Sequence, residues 1–150
     1  MPLWERRGTM QRAKRYVAFV CTGNTCRSPM GEAIFNKLAT EKKADVIAES
    51  FGIATVTGAA VSDNSVAVLK EIGIDISGKT STAVSDVSLE KFEKFYCMSQ
   101  SHAKILSEYF NISPDKIAVL NVSDPYGGSV DVYRRCRDEI YNSIKELFAD

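Results

Sequence analysis

The sequence lacks long apolar runs and an excess of charge of either sign. Its apolar run nearest the N-terminus, Tyr16 to Val20, covers five residues, whereas a membrane-spanning helix needs about 20 and the core of a signal peptide at least about 7. Lysine plus arginine and aspartate plus glutamate both number 19, so the net charge is zero and the basic excess typical of nucleic-acid binders is missing. We therefore expect a cytoplasmic protein that binds neither membranes nor nucleic acids.

Histidine and cysteine are also scarce. The chain has one histidine and four cysteines, and the cysteines stand at positions 21, 26, 97 and 136. This spacing matches no zinc-binding pattern. We expect no metal site and no cofactor, and we expect the thiols to be reduced, as is usual in the cytosol.

The composition is that of one globular domain, with 150 residues of which 45% are apolar and 25% charged. The N-terminal end differs, because residues 1–14 carry four basic residues against one acidic residue and show no apolar periodicity. We expect residues 1–15 to be a disordered extension, with a partner-binding or targeting arm as the alternative. Residues 16–150 are then the folded domain.

The most informative stretch runs from Tyr16 to Met30, with the sequence YVAFVCTGNTCRSPM. Residues 16–20 are apolar and rich in β-branched and aromatic side chains, which is typical of a strand buried on both faces of a parallel sheet. Residues 22–24 are turn formers, and Ser28 followed by Pro29 predicts the N-cap and the first residue of a helix. The stretch therefore predicts a strand, a tight loop and a helix in succession.

This loop can bind an anion and hold a nucleophile beside it. Cys21 ends the predicted strand and Arg27 follows six residues later, so a loop that curls back brings the thiol and the guanidinium together. Backbone N–H groups of such a loop and the N-terminus of the helix attract a phosphate, and the same positive field favours a thiolate. Arg27 can grip two phosphoryl oxygens, and Ser28 can donate a hydrogen bond to the sulfur.

We therefore assign Cys21 and Arg27 as catalytic residues. The alternative is an ordinary turn that contains a buried structural cysteine. The residues expected to surround the anion are Thr22, Gly23, Asn24, Thr25, Cys26 and Ser28.

The rest of the chain alternates predicted strands with predicted helices. Further strands are expected at residues 46–51, 94–98 and 117–120, and the helix after the loop should extend to about residue 43. Such alternation predicts an α/β fold with one open four-stranded parallel sheet, helices on both faces, and the phosphate-binding loop after the first strand. The other helices should begin at Ser62 and Ser99 and near the C-terminus, and the predicted core-facing residues are Val66, Leu69, Ile72, Cys97, Leu106, Tyr109, Phe110, Val132, Cys136, Ile140 and Ile144.

A general acid is expected in the loop at residues 121–128, which follows the last predicted strand. Ligands of open parallel sheets bind where the loops at the carboxyl ends of the strands meet, so this loop can face Cys21. Asp124, followed by the rigid Pro125, can protonate a leaving group, a contribution of ~10²–10⁴-fold; the alternative is a structural Asp-Pro turn. We interpret His102 as a lone surface histidine, because a thiolate nucleophile needs no histidine base.

The residues from Cys21 to Met30, together with Asp124-Pro-Tyr126, resemble the signatures of the low-molecular-weight protein tyrosine phosphatases. Arsenate reductases and bacterial protein arginine phosphatases share the first signature, and the resemblance covers Val17 to about Leu147. It implies hydrolysis of phosphorylated protein side chains through a cysteinyl-phosphate intermediate. It also implies that Tyr126 contacts the substrate, that the loop accepts phosphate or other oxyanions, and that Cys26 can form a reversible disulfide with Cys21.

Departures from the tyrosine phosphatase pattern bear on the substrate. Thr25 replaces the usual bulky aliphatic residue, Tyr126 is followed by glycine rather than a second aromatic, and residues 52–58, the expected wall of the cleft, contain no aromatic. These features resemble the arginine phosphatases, so we favour phosphoarginine over phosphotyrosine. An arsenate reductase is the enzymatic alternative, although reductases of this family use two further cysteines as a shuttle. A non-catalytic phosphoprotein-binding module is the other alternative.

Overall fold

The computed structural model describes residues 14–149. Its sheet has four strands, β1 (Arg15–Cys21), β2 (Val46–Gly52), β3 (Phe92–Cys97) and β4 (Ile117–Val119). All pairings are parallel and the spatial order is β2-β1-β3-β4. The predicted open four-stranded parallel sheet is confirmed.

The expected N-terminal extension lies almost entirely outside the described residues, so it stays a prediction. Its last two residues, Lys14 and Arg15, are the exceptions. Arg15 is the first residue of β1 and therefore belongs to the folded domain rather than to the extension.

Helices cover both faces of the sheet, as predicted. On one face pack α1 (Arg27–Glu41), α2 (Asp63–Lys70) and α4 (Val130–Leu147), and on the other packs α3 (Gln100–Tyr109). Within the described part of the chain, none of these helices is both long and apolar enough to cross a bilayer.

The centre of the fold is β1, which has a neighbour on each side. Val17, Ala18, Phe19 and Val20 have no solvent exposure. Val17 and Phe19 pack in the core under α1 and α4, whereas Ala18 and Val20 pack in the core under α3. The alternation follows from the two-residue period of a strand, and it explains why the sequence of β1 is apolar throughout. Cys21 therefore emerges from the most buried strand of the domain.

Three details of the helices differ from the prediction. Ser28 lies inside α1, whose N-cap is Cys26 and has no side-chain hydrogen bond; the Ser28 hydroxyl instead contacts Cys21. Tyr109 is 76% exposed rather than inward, because it is the last residue of α3 and lies at the border of the stripe that Leu106 and Phe110 bury against the sheet.

The third difference is in α2, where the buried face is wider than predicted. Val68 and Leu69 have no exposure, while Val66 and Ile72 are only partly buried. The reason is that α2 packs against both α1 and α4, which brings neighbouring residues of one turn into contact with different helices. Ser62 caps α2 as predicted, since its side chain accepts a hydrogen bond from the backbone N–H of Ser65.

Candidate active site

One cavity of about 300 Å³ lies at the carboxyl end of β1. All of residues 21–27 line it, together with Asp124 and Tyr126 from the 121–128 loop. Every predicted site residue except Ser28 therefore lines this cavity. Ser28 has no solvent exposure and contacts Cys21 from beneath. The chain reaches this arrangement because both loops follow strands of the same parallel sheet.

Hydrogen-bond donors surround the sulfur of Cys21. The Ser28 Oγ lies 2.7 Å from the Cys21 Sγ, and the backbone N–H of Asn24 donates to that sulfur at 3.2 Å. Ser28 also accepts a hydrogen bond from the Asn24 Nδ2 at 2.7 Å, which leaves its hydroxyl proton free for the sulfur. Both contacts place hydrogen-bonding groups where a sulfur that carries negative charge during a reaction could accept from them.

Asn24 holds the conformation of the loop through a buried network. Its φ is 56° and its exposure is 1%. Its Nδ2 donates to Ser50 Oγ at 3.0 Å, and its Oδ1 accepts from the backbone N–H of Thr82 at 2.8 Å. Ser50 in turn donates to Glu32 at 2.6 Å, and Glu32 pairs with Lys79 at 2.9 Å.

Sequence reasoning identified Asn24 but missed Ser50, Glu32 and Thr82. The available signal was Ser50 itself, a hydroxyl on the same face of the predicted strand as the apolar Val46 and Ala48. Such a buried hydroxyl needs a partner.

Arg27 connects the two loops. Its side chain is buried, its Nη1 donates to the carbonyl oxygen of Val122 at 2.9 Å, and its Nη2 lies 3.9 Å from the Asp124 Oδ2. The Asp124 side chain is 59% exposed, and its Oδ1 accepts a hydrogen bond from the backbone N–H of Tyr126 at 3.1 Å. A largely exposed carboxyl group therefore lines the same cavity as Cys21, which is buried.

His102 is not the surface residue that we predicted, because it is only 2% exposed. Its Nε2 lies 2.9 Å from Thr22 Oγ1, and its Nδ1 lies 2.9 Å from Ser99 Oγ. Burial, together with the positive charge of Arg27, lowers the pKa of His102 to about 4 against an opposing effect of Asp124. Ser99 is the N-cap residue of α3, as predicted, but its hydroxyl binds His102 rather than a backbone N–H.

The other thiols occupy two different environments. Cys26 is buried, and its sulfur lies 3.4 Å from the hydroxyl of Tyr133, a residue of α4 that was not among the predicted site residues. Cys97 and Cys136 are buried in the core, as predicted, and burial raises the pKa of each thiol to about 12. All four cysteines are free. Among residues 14–149, no group of three or more histidine, cysteine or acidic side chains could hold a metal ion.

Residues 52–58, the expected wall of the cleft, pack directly against the 21–27 loop, but none of them is among the residues that line the cavity. Ile53 and Ala54 donate backbone hydrogen bonds of 3.0 Å to the carbonyl oxygens of Cys21 and Thr22. Gly52 permits this approach, since a Cβ there would lie 2.6 Å from the Thr22 oxygen. Tyr126, which is 80% exposed, is the one aromatic residue among those that line the cavity in the described part of the chain.

Comparison with known proteins is consistent with this geometry. Residues 16–150 match the family described as low molecular weight phosphotyrosine protein phosphatase. A protein-arginine-phosphatase of Bacillus subtilis is 31% identical over 140 residues, which cover 87% of this chain and 93% of the relative. An arsenate reductase of Brevibacillus brevis is 32% identical over 134 residues, which cover 89% and 94%. The crystal structure of a low molecular weight protein tyrosine phosphatase from T. tengcongensis superposes with a TM-score of 0.84 at 36% identity, covering 89% of this chain and 97% of the other.

Proposed function

Since the chain belongs to the low molecular weight phosphotyrosine protein phosphatase family, we propose that it hydrolyses phosphorylated protein side chains with Cys21 as nucleophile, Arg27 as phosphate clamp and Asp124 as general acid and base. The observation that carries this proposal is the pairing of two groups in one cavity. The Cys21 sulfur receives two hydrogen-bond donors, and the largely exposed Asp124 carboxyl lines the same cavity, 3.9 Å from Arg27.

The reaction takes place in two steps. In the first, the Cys21 thiolate attacks phosphorus in line with the leaving group, the bond from phosphorus to the side-chain oxygen or nitrogen breaks, and Asp124 supplies the proton that the leaving group needs. In the second, Asp124 takes a proton from a water molecule as that water attacks phosphorus. The sulfur then leaves as a thiolate, stabilised by Ser28 and by the Asn24 N–H, and orthophosphate is released.

Arg27 is suited to stabilise the negative charge on the phosphoryl oxygens in the transition states of these steps. Its guanidinium is held by the Val122 carbonyl, so its direction is fixed before substrate binds. A planar guanidinium can hydrogen-bond two phosphoryl oxygens at once. Donors that are fixed in advance need no reorganisation when the transition state forms, which is the main source of electrostatic catalysis.

Within this activity, phosphoarginine is the side chain that the rim of the cavity favours. Thr25 lines the cavity where a larger aliphatic residue would narrow it, and its hydroxyl can bind a polar group. Tyr126 supplies a single exposed ring, whereas an aryl phosphate would gain from apolar walls on both sides. The planar, polar guanidinium of phosphoarginine matches the Tyr126 ring and the Thr25 hydroxyl better than the ring of phosphotyrosine does.

Arsenate reduction is less well supported, although arsenate reductases are among the relatives. Such a reaction needs thiols that can carry electrons out of the site. Cys97 and Cys136 are 0% and 2% exposed, and burial raises the pKa of both, so neither offers an accessible thiolate. We therefore retain hydrolysis as the proposed reaction.

The test is a comparison of three substrates with three proteins. Wild type, Cys21→Ser and the control Cys97→Ala are assayed with para-nitrophenyl phosphate, a phosphoarginine peptide and a phosphotyrosine peptide. We expect Cys21→Ser to lose about 10³-fold or more in kcat on all three, and Cys97→Ala to keep its activity because Cys97 lies in the core away from the cavity. Wild-type hydrolysis that survives in Cys21→Ser would exclude the proposed nucleophile. Absence of hydrolysis with retained phosphopeptide binding would indicate a binding module.

A further inference from the structure

The one histidine of the sequence lies behind the active-site loop rather than in it. His102 does not line the cavity, yet its ring contacts Thr22, which does. The ring is 2% exposed and belongs to the first turn of α3. A group in this place can act on substrate only through the loop.

Both ring nitrogens of His102 are engaged. Nε2 lies 2.9 Å from the hydroxyl of Thr22, and Nδ1 lies 2.9 Å from the hydroxyl of Ser99, which in turn lies 2.9 Å from that of Ser101. A hydroxyl can donate or accept, so both contacts are satisfied in either tautomer of an uncharged ring. The result is a rigid connection from the start of α3 to the residue that follows Cys21.

Thr22 is thereby held from two directions. Its carbonyl oxygen accepts a hydrogen bond from the Ala54 N–H at 3.0 Å on the side of the wall, and its hydroxyl contacts His102 on the side of α3. Without the second contact, this edge of the loop would be fixed by its backbone alone. Thr22 is solvent-exposed, so packing contributes less to its position than it would for a buried residue.

The ring adds no charge to the site near neutral pH. Arg27 and Asp124 are the charged groups that act on it, and burial together with Arg27 lowers its pKa to about 4. His102 is therefore unsuited to exchange protons with substrate at that pH. Its contribution has to come from geometry.

From these contacts we propose that His102 is a positioning residue that fixes Thr22, and with it the outer edge of the 21–27 loop, for binding of the phosphoryl group. The inference rests on the proposed phosphatase function for its kinetic test, but it makes a separate statement about anion binding by the loop. The two can fail independently, as the experiments below allow.

Two substitutions of His102 separate its contact with Thr22 from its contact with Ser99. In His102→Gln the side-chain amide reaches the place of Nε2 and can bind Thr22, whereas in His102→Asn it reaches only the place of Nδ1 and can bind Ser99. We expect His102→Gln to keep kcat/KM within about 3-fold of wild type, and His102→Asn to lose about 10-fold, the effect of one lost buried hydrogen bond. The inhibition constant for orthophosphate should rise by a similar factor in His102→Asn alone. Glu108→Gln, an exposed change on the same helix, is the matched control and should leave both values unchanged.

A double-mutant cycle ties the effect to Thr22. Thr22→Val keeps the shape of the side chain and removes its hydroxyl, so it should lower kcat/KM about as much as His102→Asn does. Because the two changes break the same contact, the double variant should be no worse than either single variant. Thr22→Val also tests the proposal if the variants at position 102 fail to fold. Additive losses, or a His102→Asn variant with wild-type kcat/KM and wild-type phosphate affinity, would overturn the proposal.

Nuclear magnetic resonance supplies a readout that does not depend on turnover. Since the sequence has one histidine, a single set of imidazole signals reports on His102. We expect these signals to shift when orthophosphate is added to wild type, and to lose most of that response in Thr22→Val. If wild type binds phosphate but hydrolyses nothing, the phosphatase function fails and the positioning role is still decided by this titration. If the signals do not respond to bound phosphate, the positioning role fails whatever the activity.

Discussion

The Nη1 atom of Arg27 donates a hydrogen bond of 2.9 Å to the carbonyl oxygen of Val122. This contact joins the 21–27 loop to the segment that carries Asp124, over 95 residues of sequence. It leaves the other guanidinium nitrogens available to a phosphoryl group and to the Asp124 carboxyl. Under the proposed function, Arg27 therefore has two roles, one in the stability of the site and one in its chemistry.

Replacing Arg27 with lysine should show how far these roles depend on the shape of the guanidinium rather than on its positive charge. Arg27→Lys keeps the positive charge but cannot contact Val122 and a phosphoryl group at the same time. We expect a loss of about 10²-fold or more in kcat/KM and a decrease of about 1–3 kcal/mol in the free energy of unfolding, because a buried carbonyl loses its partner. Steady-state kinetics and urea denaturation measure the two effects, with the exposed Arg135→Lys as control. Unchanged stability would argue against a structural role for the Val122 contact.

Removal of the carboxyl at Asp124 should matter most for poor leaving groups. In Asp124→Asn the leaving oxygen or nitrogen receives no proton, so we expect kcat to fall by ~10²–10⁴-fold with a phosphopeptide. The loss should be smaller with para-nitrophenyl phosphate, whose leaving group is already stable as an anion. Asp131→Asn, an exposed change in the segment that follows, serves as the control. Equal losses on both kinds of substrate would assign Asp124 a role in binding rather than in proton transfer.

Substitutions of Asn24 can separate the contribution of its backbone conformation to the unfolding free energy from the contribution of its side-chain contacts. Both Asn24→Ala and Asn24→Gly lose the contacts to Ser28, Ser50 and Thr82. Only alanine is strained at a φ of 56°, at about 1–2 kcal/mol. We therefore expect chemical denaturation to give both variants a lower unfolding free energy than wild type, with alanine about 1 kcal/mol below glycine. If the two variants match, the positive φ is not maintained in solution.

Substrate choice should respond to Thr25. In Thr25→Ile a branched apolar side chain replaces the hydroxyl at the cavity wall, which disfavours a polar guanidinium and favours an aryl ring. We expect the ratio of kcat/KM for phosphoarginine to that for phosphotyrosine to fall by about 10-fold, the order of one lost hydrogen bond. Thr25→Ser, which keeps the hydroxyl, is the matched control. A ratio that does not change in Thr25→Ile would remove Thr25 from the account of specificity.

The buried ring of His102 should also give the stability of the protein a pH dependence. Its pKa is lowered to about 4 in the folded state, so the unfolded chain binds a proton more readily and stability falls as pH drops from about 6.5 toward about 4. We expect wild type to lose about 1–2 kcal/mol between about pH 7 and about pH 5, and His102→Gln to lose clearly less. Hydrogen bonds from Arg134 and Arg137 lower the pKa of Glu71, so that group contributes only at more acidic pH. Equal losses in both proteins would indicate a histidine that is exposed in solution.

Local sequence patterns were sufficient to predict the framework of the site. The apolar residues 16–20 and the turn formers after them predicted the strand and loop, and the rule that parallel-sheet loops converge placed Asp124 opposite Cys21. The fold class and the family are confirmed. These features depend on short-range preferences and on a general property of parallel sheets, so no long-range contact had to be known.

The supporting contacts could not be predicted in the same way. His102 and Thr22 lie 80 residues apart, and Asn24 and Thr82 lie 58 apart. A polar residue in the first turn of a helix has the same local pattern whether that turn faces solvent or another loop. The packing of α3 beside the end of β1 is what buries His102. Tyr109, at the other end of α3, is exposed for the corresponding reason, because no element within residues 14–149 packs over that side of the helix end.

The complete burial of residues 17–20 in β1 has a consequence for redesign. The thiol is attached directly to the strand that tolerates change least, so its position cannot be adjusted without loosening the whole domain. The entrance is different, because Tyr126, which lines it, is 80% exposed and can be exchanged with little effect on folding. Anyone who wishes to retarget this catalyst to a new phosphorylated compound should leave its floor alone and diversify its entrance.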